Sequence, residues 1–362
     1  MDYNDNITSS NRVQNLPVFK LKPGMKLAEN VKSEYGGLLL IAGTILDENK
    51  IDYIRKNNVK KATVELQFDD ERKANLEKIR KIKRIYKNNV NETRILFNNA
   101  RQLRKIDDKR LLNISNQIND LLEEDESRRE LIFLFNRMQN SSSYIYHHSI
   151  DVGILAGMFA DWLGLEKNEK QQLILAGYMH DIGKTRIPHS LLRKESSLTD
   201  NEFEKIKNHV IAGYKLLDDC SITKTKAAAG VLTHHERCDG SGYLGFEDNE
   251  IPLFGKILAI CDVYDAATSV TVYNENKSPF SVIKYLTKDK ASAFDLHLCQ
   301  VFRDRMRSFY RDLKVELSNG YIGKIVFINP RLPSKPIVEV YGELIDLHES
   351  ELEIEKIISR EA

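Results

Sequence analysis

Between about Asp69 and Met138 apolar residues recur at three- to five-residue steps: Leu76, Ile79, Ile82 and Tyr86, then Leu103, Ile106, Leu111, Ile114, Ile118 and Leu121. That period belongs to amphipathic helices, and charged residues fill the positions between. Upstream the pattern differs. From Val18 to Leu66 short β-type runs (Lys26 to Ala28, Gly37 to Ile41, Lys61 to Val64) are separated by turn signals at Pro23-Gly24 and Gly36-Gly37. A short helix is expected from Asp47 to Asn57, which makes residues 17–68 a small α/β module. Residues 1–16 are polar, rich in Asn and Ser, and expected to be disordered. Downstream of a break at Gln139 to Ser143, helices are expected over Ser149–Leu165 and Gln171–His180, both amphipathic, the second ending near Gly183. Thr199 and Glu202 form a capping box for a helix expected to carry His209. Lys224–His235 and Phe254–Ser269 follow as helices. The tail returns to β, with a turn at Asn319-Gly320 and alternation from Ile337 to Tyr341. The predicted fold is mainly α. A helical bundle over residues 139–315 is preceded by a helical linker or packing region (69–138) and flanked by the N-terminal module and a short C-terminal β extension (316–362).

With 41% hydrophobic and 30% charged residues, the 362-residue chain reads as a soluble globular protein with solvated helices. A formal charge of +1 argues against binding long nucleic acid, which normally takes a strongly basic domain. The basic run Lys81 to Arg84 is diluted by nearby Asp and Glu, so it reads as the solvated face of packing helices or a homodimer surface. The longest apolar run, Gly37 to Leu46, falls well short of the roughly 20 residues that span a bilayer. The N-terminus has neither the basic start nor the apolar segment of a signal peptide, so a cytoplasmic location and no membrane partner are expected. Cys220, Cys238, Cys261 and Cys299 show no CxxC spacing and are expected to be free thiols.

The chemistry lies in the middle. His148, the adjacent His180 and Asp181, His209, the adjacent His234 and His235, and Asp262 are seven potential metal ligands. Mixed nitrogen and oxygen donors suit iron, manganese or related cations better than magnesium or calcium. Neighbouring side chains inside a helix diverge by about 100°, so each adjacent pair can reach one cluster only at a helix end or around two metals. A lone histidine such as His209 is more often an ordinary packed or surface residue. Asp262, inside the apolar run Ile257 to Asp265, is costly to bury unless paired or metal-bound. Asp265 is equally placed to face inward, and the pattern does not choose between them. His147, His189, His297 and His348 are assigned no role.

The order His148-Ser149, His180-Asp181-Ile-Gly-Lys184, His209, His234-His235-Glu-Arg-Cys-Asp239-Gly240-Ser-Gly242-Tyr243 and Asp262-Val-Tyr-Asp265 resembles the HD-GYP family of bacterial phosphodiesterases. The likeness covers roughly residues 130–315 and implies an HD-type helical bundle that hydrolyses cyclic di-GMP to linear pGpG, and on to GMP in some members. It implies one cation held by His148, His180, Asp181 and Asp262, and a second held by His209, His234 and His235 with Asp181 bridging. It also selects Asp262 over Asp265. Where some members place a glutamate for a third metal this chain has Tyr144, so two ions, iron or manganese, are expected. The implied reaction is attack on phosphorus by a hydroxide held between the cations, with Asp181 and Lys184 as catalytic residues. Lys184, Arg237, Tyr243 and Lys277 are the candidate substrate contacts. The chain departs from the family in two places. The tripeptide reads Gly242-Tyr243-Leu244, without the rigid φ of proline, in a loop that is also a candidate protein-docking element, as is the N-terminal module. Thr271 and Asn274 replace two basic residues, which makes a catalytically weak cyclic di-GMP receptor, or a hydrolase of another cyclic or linear dinucleotide, the alternative.

Overall fold

The computed structural model describes residues 13–65, 70–135, 143–192, 194, 196–221, 223, 225–269, 277–329, 332–333 and 335–360. The chain divides into two compact units, residues 1–78 and 79–362. In the first, β1 (Val13–Pro17), β5 (Lys61–Glu65) and β2 (Lys26–Leu27) form an antiparallel sheet in the order β1-β5-β2, and β3 (Val31–Lys32) pairs with β4 (Leu38–Leu40). Helix α1 (Glu48–Lys56) starts where the Asp47 side chain accepts the Lys50 N–H, and it buries Ile51 and Ile54. Leu27, Leu46, Ile54 and Val64 form a separate small core. The expectation of disorder through residue 16 is corrected for Val13 to Leu16. These residues form an edge strand, held by backbone pairing in register Val13 to Glu65, which a polar sequence does not advertise. Residues 1–12 lie outside the described residues.

The second unit begins within α2 (Asp70–Leu103) and continues through α3 (Asp108–Leu121), α4 (Asp125–Phe135), α5 (Tyr144–Trp162) and α6 (Lys167–Met179). The apolar positions that predicted the first helices (Ile82, Tyr86, Ile106, Leu111, Ile114, Ile118 and Leu121) are buried in one core with α5 and α6. Residues 79–135 thus pack into the body of the second unit. Next come α7 (His189–Leu192), α8 (Asp200–Lys207), α9 (His209–Asp218), α10 (Thr225–Thr233), α11 (Leu253–Thr268), α12 (Pro279–Lys284) and α13 (Leu296–Tyr310). Strands β6 (Leu313–Leu317), β7 (Ile322–Phe327), β8 (Ile337–Val340), β9 (Glu343–Asp346) and β10 (Ile354–Arg360) close the chain as an antiparallel sheet in the order β10-β6-β7-β8-β9. Val315, Leu317, Ile325 and Val338 of this C-terminal β segment join the main core.

Two sequence expectations change in the bundle. Helix α5 is buried on every face from His148 to Ala160, and α6 from Gln172 to Met179. Neither is amphipathic; both are central helices, and they pack closely because a side chain on Gly177 would meet the Val152 carbonyl at 2.8 Å. The capping box at Thr199 and Glu202 is present, but it starts α8, which ends before His209; that residue opens α9 instead. Residues 136–142, where the break was expected, lie outside the described residues. Among the described residues no helix is long and apolar enough to cross a membrane, and all four cysteines are free thiols.

Candidate metal centre

The candidate ligands stand mostly where helices end. His180 and Asp181 follow the last residue of α6, His209 opens α9, and His234 and His235 follow α10. Only His148 in α5 and Asp262 in α11 sit within helices. The chain turns at each doublet, so adjacent side chains reach one centre, which a continuous helix would forbid. The helix ends also aim the rings. Nδ1 of His180 donates to the Gly177 carbonyl (2.8 Å), that of His209 to Ile206 (2.8 Å) and that of His234 to Val231 (2.7 Å). Each imidazole thereby satisfies a carbonyl in the last turn of a helix and leaves a bare Nε2 pointing inward, the form that binds metal.

Two groups result. His148, His180 and Asp262 form one, and Asp181, His209, His234 and His235 the other, the donor atoms of each lying within 4.8 Å of one another. Nε2 of His180 is 3.1 Å from Nε2 of His148, and Nε2 of His209 is 3.4 Å from that of His234. Asp262 Oδ1 is 3.1 Å from His148 Nε2. Asp181 faces both groups: Oδ1 is 3.3 Å from His209 Nε2, and Oδ2 is 3.5 Å from His180 Nε2 and 3.9 Å from His148 Nε2. Asp181 Oδ1 is buried without a hydrogen-bond donor among the described residues. Lone pairs crowded together and a carboxylate oxygen lacking a proton are costly when buried, and a cation between them removes the cost. All seven residues fit a metal centre.

Local charge agrees. Burial opposes ionisation of Asp181, but Lys184, His180 and His209 hold its carboxyl well below the usual range. Burial likewise opposes Asp262, which His148 and His235 hold well below that range. Desolvation lowers His209 and His234 and takes His235 down to about 3, so these rings stay neutral and ready to coordinate. His148 is the exception. Desolvation pulls it down, but hydrogen bonds to Asp262 and Asp265 raise it to about 10. Lys184 donates to Asp181 Oδ2 at 2.5 Å; burial lowers its pKa, and the Asp181 charge more than reverses that.

The remaining candidates fare differently. The Tyr243 ring lies 4.3 Å from that of His235 and 6.2 Å from that of His209, walling one side of the centre. Arg237 is engaged elsewhere. Its Nη1 donates to the carbonyls of His234 (3.3 Å) and Glu236 (2.7 Å), and its guanidinium lies 4.9 Å from the Phe294 ring centre. Lys277 is exposed. Thr271 and Asn274 lie outside the described residues. Tyr144 stacks on His148 with ring centroids 5.3 Å apart. His189, His297 and His348 are exposed, and His147, outside both ligand groups, has its Nδ1 3.1 Å from the Tyr86 hydroxyl.

Two residues, Glu236 and Gly183, escaped the sequence reading, and a third, Asp265, was weighed there only as an alternative to Asp262. Asp265, set aside in favour of Asp262, is fully buried and 2.7 Å from His148 Nδ1. Both carboxylates serve, and their three-residue spacing on one helix was the available signal. Buried Glu236 accepts the N–H groups of Leu244 and Phe246, both at 2.8 Å, and so shapes the loop that carries Tyr243. Gly183 lets the 3₁₀ turn Ile182–Arg186 lie against α9, for a Cβ there would meet the His209 carbonyl oxygen at 1.8 Å.

Comparison with known proteins places this geometry. A cyclic di-GMP phosphodiesterase of Pseudomonas aeruginosa is 32% identical over 206 residues, covering 57% of this chain and 50% of that protein. A cyclic di-GMP phosphodiesterase response regulator of Xanthomonas campestris is 38% identical over 143 residues, 39% of this chain and 38% of that protein. The chain thus spans half or less of the length of these two relatives. Among solved structures, an HDG"Y"P protein from Bdellovibrio bacteriovorus superposes with a TM-score of 0.52 at 17% identity, over 82% of this chain and all of that one, which shows a shared fold. The sequence profile of the HD domain matches residues 110–298, more than half the chain and all seven candidate ligands, and the protein belongs to the HD domain family.

Proposed function

We propose that this protein is a metal-dependent phosphodiesterase of HD-GYP type that hydrolyses cyclic di-GMP to linear pGpG. The observation that carries the reading is the pair of adjoining ligand groups spanned by the Asp181 carboxylate. The names of the relatives support the substrate. Two divalent cations, iron or manganese from the donor set, would occupy the groups and supply a nucleophilic water at neutral pH and charge neutralisation on the phosphate. His148, His180 and Asp262 would hold one, His209, His234 and His235 the other, with Asp181 shared.

The chain's own residues do the rest. The Gly177, Ile206 and Val231 carbonyls keep Nε2 of three imidazoles deprotonated and inward. Lys184 keeps an ammonium beside the shared carboxylate, where it stabilises charge that grows on phosphate in the transition state. Tyr243, set by the Glu236 clasp, offers a flat apolar wall for a nucleobase next to the reacting group. Arg237 serves as a loop brace and not as a phosphate contact.

The test is direct. Protein purified without oxygen and loaded with iron or manganese is incubated with cyclic di-GMP, a hybrid cyclic dinucleotide and a linear dinucleotide, and products are separated by chromatography. Linear pGpG from the first, lost in His180→Ala and Asp181→Ala, is expected. No turnover of cyclic di-GMP with either metal refutes the reading, and tight binding without product identifies a receptor.

A further inference from the structure

The two ligand groups are supported differently. His180, His209 and His234 each lean on a neutral backbone carbonyl. His148 instead leans on a carboxylate, Asp265 Oδ2 at 2.7 Å from Nδ1, while its Nε2 faces Asp262 Oδ1 at 3.1 Å. Both carboxylates come from α11, one helical turn apart, and the ring is clasped between them. Asp265 is fully buried, and its second oxygen, Oδ1, has no hydrogen-bond donor among the described residues. An ionised carboxylate in that position is stabilised by positive charge on the ring it touches or beyond it.

We infer that Asp265 is a positioning residue that orients and polarises His148, and that it makes the His148–His180–Asp262 group the tighter of the two cation positions. This inference rests on the metal-centre reading and not on the substrate. Near this group stand Asp262 and Asp265, besides the shared Asp181, against the one ammonium of Lys184. The other group has the shared Asp181 and three imidazoles, two of which lean on neutral carbonyls; Asp262 reaches it as well, Oδ2 lying 3.7 Å from His235 Nδ1, whereas Asp265 backs His148. A carboxylate behind an imidazole raises its basicity as a ligand, and removing such a partner typically lowers metal affinity about 10–100-fold. The asymmetry predicts ordered loading: the first cation enters at His148, and the second completes the site around Asp181.

The experiment titrates the metal-free 362-residue chain with cobalt(II), following visible absorption and heat. Wild type is expected to bind in two steps. Asp265→Asn keeps the shape and an acceptor for the Nδ1–H but not the charge, and should weaken the first step about 10-fold; Asp265→Leu removes both and should weaken it about 100-fold, each leaving the second step in place. His209→Ala should do the reverse, abolishing the weaker step and sparing the tighter one. Melting of the metal-free proteins separates misfolding from loss of a ligand partner. The inference is overturned if wild type binds both ions with equal affinity or only one ion, if Asp265→Asn leaves the first step unchanged or weakens both alike, or if His209→Ala removes the tighter step. A wild-type protein that takes up no cobalt overturns the metal-centre reading itself, and hydrolysis of cyclic di-GMP bears on neither outcome.

Discussion

Gly183→Ala tests the geometry at its tightest point. The added methyl would sit 1.8 Å from the His209 carbonyl oxygen and 2.6 Å from the Gly213 nitrogen, both backbone atoms that cannot rotate away. Since real Cβ contacts essentially never fall below 3.0 Å, the 3₁₀ turn and α9 must part by about 1 Å or more. Overpacking of this kind costs about 1–3 kcal/mol, and at a contact with immovable backbone we take the upper end. For a unit of this size about 3 kcal/mol corresponds to a fall in Tm of roughly 5 °C. The functional effect should exceed the loss of stability. Asp181 and His209 lie on the two elements that part, and the 3.3 Å separation of Oδ1 and Nε2 cannot survive a shift of that size. A misplacement of about 1 Å at a reacting centre can cost about 10²-fold in rate. Thermal melting, cobalt stoichiometry and turnover on one preparation are the assay: Tm drops, the His209 group loses its ion, and the His148 group keeps its own. Unchanged Tm with two ions bound would refute the reasoning.

Other expectations follow from the same contacts. Lys184→Met should retain both cations, because no ligand is lost, while kcat falls about 10²-fold, as for removal of one preorganised donor to developing charge; metal loss in this variant would show the lysine to be structural. Glu236→Gln replaces one acceptor oxygen with a donor facing the Leu244 or Phe246 N–H, so it should cost about 1–3 kcal/mol and raise KM more than it lowers kcat, read by melting and steady-state kinetics. Glu202, lowered to about 2 first by its bond to Lys194 and then by the Thr199 N–H, should stabilise α8 fully above the unfolded carboxylate range. That contribution fades as pH falls through about 2, so the Tm gap between wild type and Glu202→Gln should close on acidification, and a gap that widens would contradict the assignment.

Much of the bundle was legible along the chain because helix periodicity and caps are local properties. The three- to five-residue spacing marked helices that bury Ile82, Tyr86, Leu111, Ile114, Ile118 and Leu121, although Leu103 of the same series is exposed, and Thr199 with Glu202 marked the start of α8 to the residue. The residues of the candidate metal centre stood out for a different reason: imidazoles and carboxylates in apolar surroundings are chemically conspicuous, and His180-Asp181 and His234-His235 form ordered doublets. The β1 strand was not legible, since an exposed edge strand is held by backbone bonds to β5 that depend on a segment fifty residues away. Nor was the burial of α5 on all sides, which follows from how many neighbours surround it and not from its own pattern.

Local chemistry therefore specifies which residues are donors and where helices start and stop. Convergence is another matter: that Asp181 spans two groups, that Asp265 stands behind His148 while Asp262 stands before it, and that Gly183 must be bare to admit α9. These are relations between atoms distant in the chain, set by packing of whole helices at close to crystalline density, and no stretch of residues carries them alone.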